Sequence, residues 1–168
     1  DFCLSRGLGD VYKRQELIIG LGCEDKYHNV PGAEAYTHSI QTLSKSRETY
    51  HRISELPKGA RVGIVGAGLS GIELASELRE SRSDLEILLY DRGPRILRNF
   101  PEKLSKYISN WFSKHNVTVV PNSVIDRVEP GKIYNNGKPE NIDLVVWTAG
   151  IQPVEIVRNL PIDMSTSG

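Results

Sequence analysis

The feature that most constrains the fold of this chain is a glycine-rich turn between an apolar run and a helical pattern. The segment Gly66-Ala67-Gly68-Leu69-Ser70-Gly71 has the spacing G-x-G-x-x-G. Arg61 to Val65 before it predicts a short strand, and Ser70 to Glu80 after it has the apolar spacing of a helix. Asp91 ends the next predicted strand, 20 residues after Gly71. This context favours a dinucleotide-binding βαβ unit over an ordinary turn that contains three glycines.

Each position of the turn has a physical task in such a unit. Gly66 permits the tight turn, Gly68 lets a pyrophosphate approach the backbone, and Gly71 lets the helix pack close to the strand. The helix N-terminus carries free N–H groups and a positive dipole end, which favour an anion. We therefore expect the pyrophosphate to lie over Gly68, Leu69 and Ser70.

Asp91 and its neighbours bear on the choice of nucleotide. The Asp91 carboxylate can accept hydrogen bonds from both ribose hydroxyls and would repel a 2′-phosphate, which favours NADH. Arg92 and Arg95 leave NADPH open, because a guanidinium pairs well with phosphate. Both arginines equally suit solvated loop charges, and we interpret Arg95 and the cluster 92–98 in this way.

The remaining pattern predicts an α/β fold. Strands alternate with helices and are followed by short strands around tight turns, so we expect a Rossmann-like NAD-binding domain with a parallel sheet and a small antiparallel meander. Leu17 to Ile19 is predicted to end a buried strand, Cys23 to Gly32 to be a loop and Ile151 to Gly168 to lack regular structure. The other predicted elements are helices 39–53 and 101–114, and strands 85–90, 117–120, 124–128, 132–134 and 144–147.

Composition excludes several classes of protein. The chain has 21 basic and 21 acidic residues, which argues against nucleic acid as a partner. No apolar run approaches the length of a membrane span. Two cysteines cannot form a disulfide framework, so we expect a cytoplasmic protein. The four histidines lack metal-ligand spacing, so we expect no metal site and structural or solvent roles for His28, His38, His51 and His115.

Residues 5–15 resemble a translated sequencing adapter, and we predict that residues 1–15 are a non-native leader. The sequence begins without Met. We therefore expect an internal fragment of a longer protein.

Three segments in order resemble the two-domain FAD/NAD(P) reductases of the pyridine nucleotide-disulfide oxidoreductase superfamily. Gly66 to Glu73 is similar to their second dinucleotide fingerprint, and Asp143 to Pro153 to the strand and glycine turn that leave the NAD domain. Leu17 to Gly22 with Val30 to Gly32 resembles the turn that closes the first FAD segment, although Gly20-Leu21-Gly22 replaces Ala-Thr-Gly. Trp147-Thr148-Ala149-Gly150 is closest to the type II NADH dehydrogenases.

The resemblance implies a domain organisation. Residues 59–152 would form the NAD(H)-binding domain, with 37–58 as a connector helix. Residues 16–36 would be an edge segment of an FAD-binding domain, and 153–168 a truncated return segment toward it.

The resemblance also implies hydride transfer from NADH to FAD and on to a quinone, with the isolated fragment inactive. Glu73 would lie near the nicotinamide, unless it is a plain helix carboxylate, and Ala149 and Gly150 would line the nicotinamide path. A reductase with a soluble acceptor and a non-catalytic NAD-sensing module remain open. The longer protein would lie on the inner face of the cell membrane through a region outside this sequence, and a homodimer is left open.

Overall fold

The computed structural model describes residues 18–161. The predicted leader and residues 162–168 of the predicted return segment lie outside the described residues. The helices are α1 (Ala33–Tyr36), α2 (Leu43–Ser54), α3 (Leu69–Ser81), α4 (Glu102–Lys114) and α5 (Glu155–Arg158). The strands are β1 (Cys23–Asp25), β2 (Arg61–Val65), β3 (Glu86–Tyr90), β4 (Val117–Val120), β5 (Ile125–Glu129), β6 (Lys132–Asn135), β7 (Lys138–Asn141), β8 (Leu144–Trp147) and β9 (Ile151–Pro153).

A four-stranded parallel sheet, in the order β4-β3-β2-β8, forms the centre of the fold. Val62 of β2 is in register with Ile87 of β3 on one side and Leu144 of β8 on the other. Strands β2, β3 and β8 are almost entirely buried and rich in Val, Ile and Leu, as a sheet covered on both faces requires. The predicted parallel α/β fold is confirmed, and the carboxyl ends of its strands meet at one edge.

The two faces of this sheet carry different layers. On one face of the sheet, side chains such as Ile64 and Leu89 pack in a cluster with Ile72 of α3 and Phe112 of α4. On the opposite face, side chains such as Tyr90 pack in a second cluster with residues of the meander. Because side chains alternate along a strand, each strand contributes to both cores.

The predicted meander is confirmed as a three-stranded antiparallel sheet, β5-β6-β7. Asn136 and Gly137 link β6 to β7 with φ of 51° and 74°, the left-handed pair that a type I′ hairpin turn requires. Strand β7 was not predicted from the sequence, because it is short, polar and contains Pro139. As an edge strand it tolerates proline, since one side of its backbone needs no partner.

The sequence pattern predicted that helix α2 begins at Ser39, but in the structure it begins at Leu43. His38 is drawn into the sheet: its N–H donates to the Val145 carbonyl at 2.8 Å, and the Trp147 N–H donates to the His38 carbonyl at 2.8 Å. This extended backbone cannot begin a helix, which starts instead after the Thr42 cap.

Three other expectations at the ends of the chain were wrong. Cys23–Gly32 is not all loop, because β1 pairs with β9. Residues 151–161 contain β9 and α5. Residues 18–22 form no strand and Ile18 is 93% exposed, because within the described part of the chain no strand pairs with them.

The chain divides into two compact units. Glu24–Gln152 contains the parallel sheet and the meander, and the described residues of the other unit are 18–23 and 153–161. In the second unit, Arg158 Nη1 of α5 donates to the Pro153 carbonyl at 3.2 Å. The finer boundaries at 36, 58 and 152 remain predictions.

A polar network joins the parallel sheet to the meander. The Tyr90 hydroxyl donates to Glu140 Oε2 at 2.7 Å, and Asn135 Nδ2 donates to Glu140 Oε1 at 3.0 Å. Burial raises the pKa of Tyr90, and the hydrogen bond to Glu140 raises it further. The neutral phenol is therefore the form that stabilises the fold.

We expect Tyr90→Phe to lower the free energy of unfolding by about 1–2 kcal/mol at pH 7, because the half-buried Glu140 carboxylate loses one of its two donors. The pKa of Tyr90 is raised above its ordinary value of 10.0, so its stabilisation is complete below pH 10 and is lost as the pH rises further. Urea unfolding of both proteins at pH 7 and above pH 10 measures this. A difference between them that stays constant with pH would contradict the assignment.

Candidate dinucleotide-binding site

A cleft of about 490 Å³ lies at the carboxyl edge of the parallel sheet, within the unit Glu24–Gln152. Residues that follow β2, β3, β4 and β8 form most of its wall, as expected for the ligand crevice of an open α/β sheet. Its lining consists of His28, Val30, Val65, Gly66, Ala67, Gly68, Tyr90, Asp91, Arg92, Leu97, Arg98, Asn99, Phe100, Ser123, Val124, Ile125, Trp147, Thr148, Ala149 and Gly150.

The glycine turn is packed directly against the chain that leaves β8. Gly66 has φ of 108°, and a Cβ there would lie 2.7 Å from the Ala149 Cα. The Thr148 hydroxyl lies 3.0 Å from the Val65 carbonyl and 2.9 Å from the Gly66 carbonyl, both of which accept from it. The left-handed backbone at position 66 requires glycine, and so does the close approach of the chain that leaves β8.

Gly68 and Gly71 differ in what surrounds them. A Cβ on Gly71 would overlap the Gly66 carbonyl oxygen and lie 2.9 Å from Thr148 Oγ1. Gly71 therefore lets α3 pack against the turn, in line with the task expected of it. Gly68 lines the cleft, and a Cβ there would meet no atom within 4 Å. The space next to Gly68 is open to a ligand.

Asp91 joins the glycine turn to the loop after β3. Its Oδ2 accepts from the Ala67 N–H at 2.9 Å, and its Oδ1 accepts from the Gly93 N–H at 2.7 Å. These two bonds fix the carboxylate at the wall of the cleft. A carboxylate has about four acceptor positions, so two remain for further donors such as ribose hydroxyls.

The loop after β3 is not simply solvated, and the interpretation of Arg95 as a solvated charge was wrong. Its guanidinium donates to three main-chain carbonyls, those of Leu97 at 3.1 Å, Arg98 at 2.8 Å and Phe100 at 3.0 Å. The Leu97 N–H in turn donates to the Ala67 carbonyl at 3.0 Å. Arg95 thereby holds the loop against the glycine turn.

Among the other predicted site residues, Arg92, Ala149 and Gly150 line the cleft. Leu69, Ser70, Gly71 and Glu73 do not: Leu69 is 52% exposed, Gly71 is buried against the turn, and Ser70 and Glu73 are exposed on α3. The structure thus brings together the glycine turn, Asp91, Arg92 and the chain after β8, and leaves Glu73 outside the cleft.

Several lining residues were not predicted from the sequence. His28 Nε2 lies 3.0 Å from the Ala149 carbonyl, beside Gly150. No sequence signal pointed to His28, which comes from a distant segment. Ser123 and Arg98 follow β4 and β3, and strand ends at the ligand edge were the signal that could have found them.

Two other kinds of feature are absent from residues 18–161. No helix there is long and apolar enough to cross a bilayer. No three His, Cys, Asp or Glu side chains in that part of the chain come together as a metal site.

The parallel sheet, the glycine turn and the cleft at the strand ends define a Rossmann-type dinucleotide-binding fold. The chain belongs to the family described as "Pyridine nucleotide-disulphide oxidoreductase", which matches residues 2–168.

Two curated relatives and one solved structure illustrate the similarity. The NADH dehydrogenase-like protein YutJ of Bacillus subtilis is 57% identical over 153 residues, which cover 91% of this chain and 43% of that protein. Demethylphylloquinone reductase NdbB of Synechocystis is 25% identical, over 91% of this chain and 40% of that protein. NDH2 from Plasmodium falciparum in complex with NADH superimposes with a TM-score of 0.72 at 16% identity, over 82% of this chain and 34% of that one. The chain spans less than half the length of these relatives.

Proposed function

We propose that this chain is the NADH-binding part of an FAD-dependent oxidoreductase that passes a hydride from NADH to FAD and then electrons to a quinone. One observation carries the proposal: Gly68 faces open space in a cleft at the strand ends, and Asp91 is fixed in the wall of that cleft. The names of two relatives support it, since one is a structure in complex with NADH and another is a demethylphylloquinone reductase.

The chain's own residues bind and orient the nucleotide in this proposal. The first N–H groups of α3, those of Leu69 and Ser70, lack partners within the helix and suit a pyrophosphate above Gly68. The free acceptor positions of Asp91 suit the hydroxyls of the adenosine ribose.

The nicotinamide end would lie along Ala149 and Gly150, where small residues let a planar ring approach the backbone. When both cofactors are bound, the nicotinamide supplies the hydride and the flavin accepts it. We keep Glu73 as a carboxylate near the nicotinamide, in a site that residues outside this chain would complete. Residues 16–36 and 153–168 would belong to the FAD-binding domain. The longer protein would bind the quinone at the inner face of the cell membrane.

Asp91→Asn tests the ribose assignment. The side-chain NH₂ of asparagine would face the Ala67 or Gly93 N–H, and one acceptor for the ribose is lost. We expect NADH to bind about tenfold more weakly, the equivalent of one hydrogen bond of about 1.4 kcal/mol. The readout is the change in NADH fluorescence on titration with the full 168-residue chain.

A matched control is available in the meander. Asp126 also accepts a hydrogen bond from a glycine N–H, that of Gly137, but it does not line the cleft. Asp126→Asn should leave NADH affinity unchanged. If Asp91→Asn binds NADH as tightly as the unaltered chain does, the ribose assignment is wrong. If the unaltered chain does not bind NADH, the proposed function is wrong.

The acceptor requires a second measurement on a longer polypeptide that contains this chain. NADH-dependent reduction of a quinone faster than of a soluble acceptor supports the proposal. The reverse order favours a soluble reductase. NADH binding without bound flavin or turnover favours a nucleotide-sensing module.

A further inference from the structure

Part of the cleft wall is a turn that lies outside both the glycine turn and the parallel sheet. His28 and Val30 of this turn line the cleft, and the Val30 N–H donates to the Tyr27 carbonyl at 3.0 Å. The two central residues, His28 and Asn29, both have a left-handed backbone, with φ of 51° and 57°. Residues with a side chain rarely adopt this conformation, and two in succession need the surrounding structure to hold them there.

Three hydrogen bonds attach this turn to the chain that leaves β8. The Lys26 N–H donates to the Gly150 carbonyl at 3.0 Å, and Trp147 Nε1 donates to the Lys26 carbonyl at 3.0 Å. The third joins His28 Nε2 to the Ala149 carbonyl at 3.0 Å. A Cβ on Gly150 would lie 2.9 Å from His28 Nε2, so the imidazole packs directly on the Gly150 backbone. The ring is therefore held beside the two small residues along which the nicotinamide would lie.

The contact with Ala149 determines which nitrogen of the neutral imidazole can serve a ligand. A carbonyl oxygen only accepts hydrogen bonds, so Nε2 carries the hydrogen in this contact. In the neutral ring, Nδ1 is then an acceptor that carries no hydrogen. Within residues 18–161, no group donates to Nδ1 of His28. An unpaired acceptor on a residue that lines the cleft suits a ligand that brings an N–H donor.

We propose that His28 binds the carboxamide of the nicotinamide, with Nδ1 accepting a hydrogen bond from the carboxamide NH₂. This inference rests on the proposed function, which places the nicotinamide along Ala149 and Gly150. The carboxamide is the part of the nicotinamide that carries N–H donors. The bond also opposes rotation of the ring about its link to the ribose, which favours one orientation of the nicotinamide for hydride transfer.

The experiment compares two ligands that differ in this donor alone. In the reduced 3-acetylpyridine analogue of NADH, a methyl ketone replaces the carboxamide, so the C=O remains and the NH₂ is lost. Calorimetric titration of the full 168-residue chain should show that NADH binds about tenfold more tightly than the analogue, the effect of one hydrogen bond. A merely structural role of His28 would not produce this preference, because the two ligands have nearly the same shape.

Two substitutions separate the two ring nitrogens. His28→Gln keeps an N–H donor for the Ala149 carbonyl but has no acceptor at the place of Nδ1, so its preference for NADH should fall below about twofold. His28→Asn puts an oxygen at the place of Nδ1 and suits the left-handed backbone, so it should retain the preference although it loses the bond to Ala149. His115→Gln is the matched control, because His115 Nδ1 also lies 2.7 Å from a main-chain carbonyl, that of Trp111, but outside the cleft. It should leave the preference unchanged.

Nitrogen NMR of the histidine rings provides a readout that is independent of affinity. The neutral His28 ring should show a protonated Nε2 and an unprotonated Nδ1. NADH should shift the Nδ1 resonance, whereas ADP-ribose, which lacks the nicotinamide, should not.

The outcomes separate this inference from the function on which it rests. If the unaltered chain binds NADH and the analogue equally tightly, or if His28→Gln keeps the full preference, the carboxamide contact is wrong and the proposed function stands. A protonated Nδ1 in the neutral ring, or a preference lost as fully in His28→Asn as in His28→Gln, also overturns the contact. A chain that binds neither ligand overturns both proposals.

Discussion

Replacing Gly68 with alanine is expected to weaken NADH binding about 100-fold while the chain stays folded. Gly68 has φ of −78° and ψ of −170°, a conformation that alanine adopts without strain, and a Cβ there would contact no atom within 4 Å. The added methyl group would instead occupy the space in which a pyrophosphate approaches the turn. Losing two charge-assisted hydrogen bonds from the N-terminus of α3 corresponds to about two powers of ten in affinity.

The measurement pairs NADH titration with urea unfolding of the same protein. The free energy of unfolding should change by no more than about 1 kcal/mol, the penalty for alanine at a helix N-cap. Gly20→Ala is the matched control, because Gly20 also has open space around it and a φ outside the left-handed region but does not line the cleft. Full NADH affinity in Gly68→Ala would place the nucleotide elsewhere.

The sequence was sufficient to predict the central fold because the relevant signals are local. Apolar runs such as 62–65 and Leu144–Trp147 are short, buried and bounded by turns, which is typical of parallel strands. The glycine turn combines a fixed spacing with a strand before it and a helix after it. The hairpin turn at Asn136–Gly137 has its own sequence signature.

What the sequence could not predict depends on contacts between distant segments. The start of α2 was misplaced because the backbone of His38 is bonded to β8, more than 100 residues away. Arg92, Arg95 and Arg98 look alike in sequence, and only the path of the loop determines which one holds carbonyls. His28 reaches Ala149 because β1 and β9 pair, a pairing that leaves no periodic pattern.

For Asp91, too, one property could be predicted from the local sequence and another could not. Its position at the end of β3 was readable from its spacing to the glycine turn. Its two hydrogen bonds to main-chain N–H groups were not, because they depend on the conformation of Ala67 and Gly93. Those bonds make Asp91 part of the structure of the turn as well as a candidate ribose ligand, so its removal is expected to loosen the turn.

The largest loss of stability is expected from Gly71→Ala. A Cβ at this position would overlap the Gly66 carbonyl oxygen and lie 2.9 Å from Thr148 Oγ1. Since the obstacles are a main-chain oxygen and a hydroxyl whose proton is shared by the Val65 and Gly66 carbonyls, α3 has to move away from the turn. Overpacking of this kind costs about 1–3 kcal/mol, and weakening the shared hydrogen bond of Thr148 adds about 1 kcal/mol.

The better helix propensity of alanine offsets roughly 1 kcal/mol, so we expect a net loss of about 1–3 kcal/mol. For a chain of this size that loss lowers the melting temperature by about 2–12 °C, which circular dichroism can follow. Gly68→Ala is the matched control, with the same substitution three residues earlier in the same turn. Thr148→Ala combined with Gly71→Ala should recover little, because the overlap with the Gly66 oxygen remains. Unchanged stability in Gly71→Ala would mean that close packing of α3 on the turn contributes nothing to the fold.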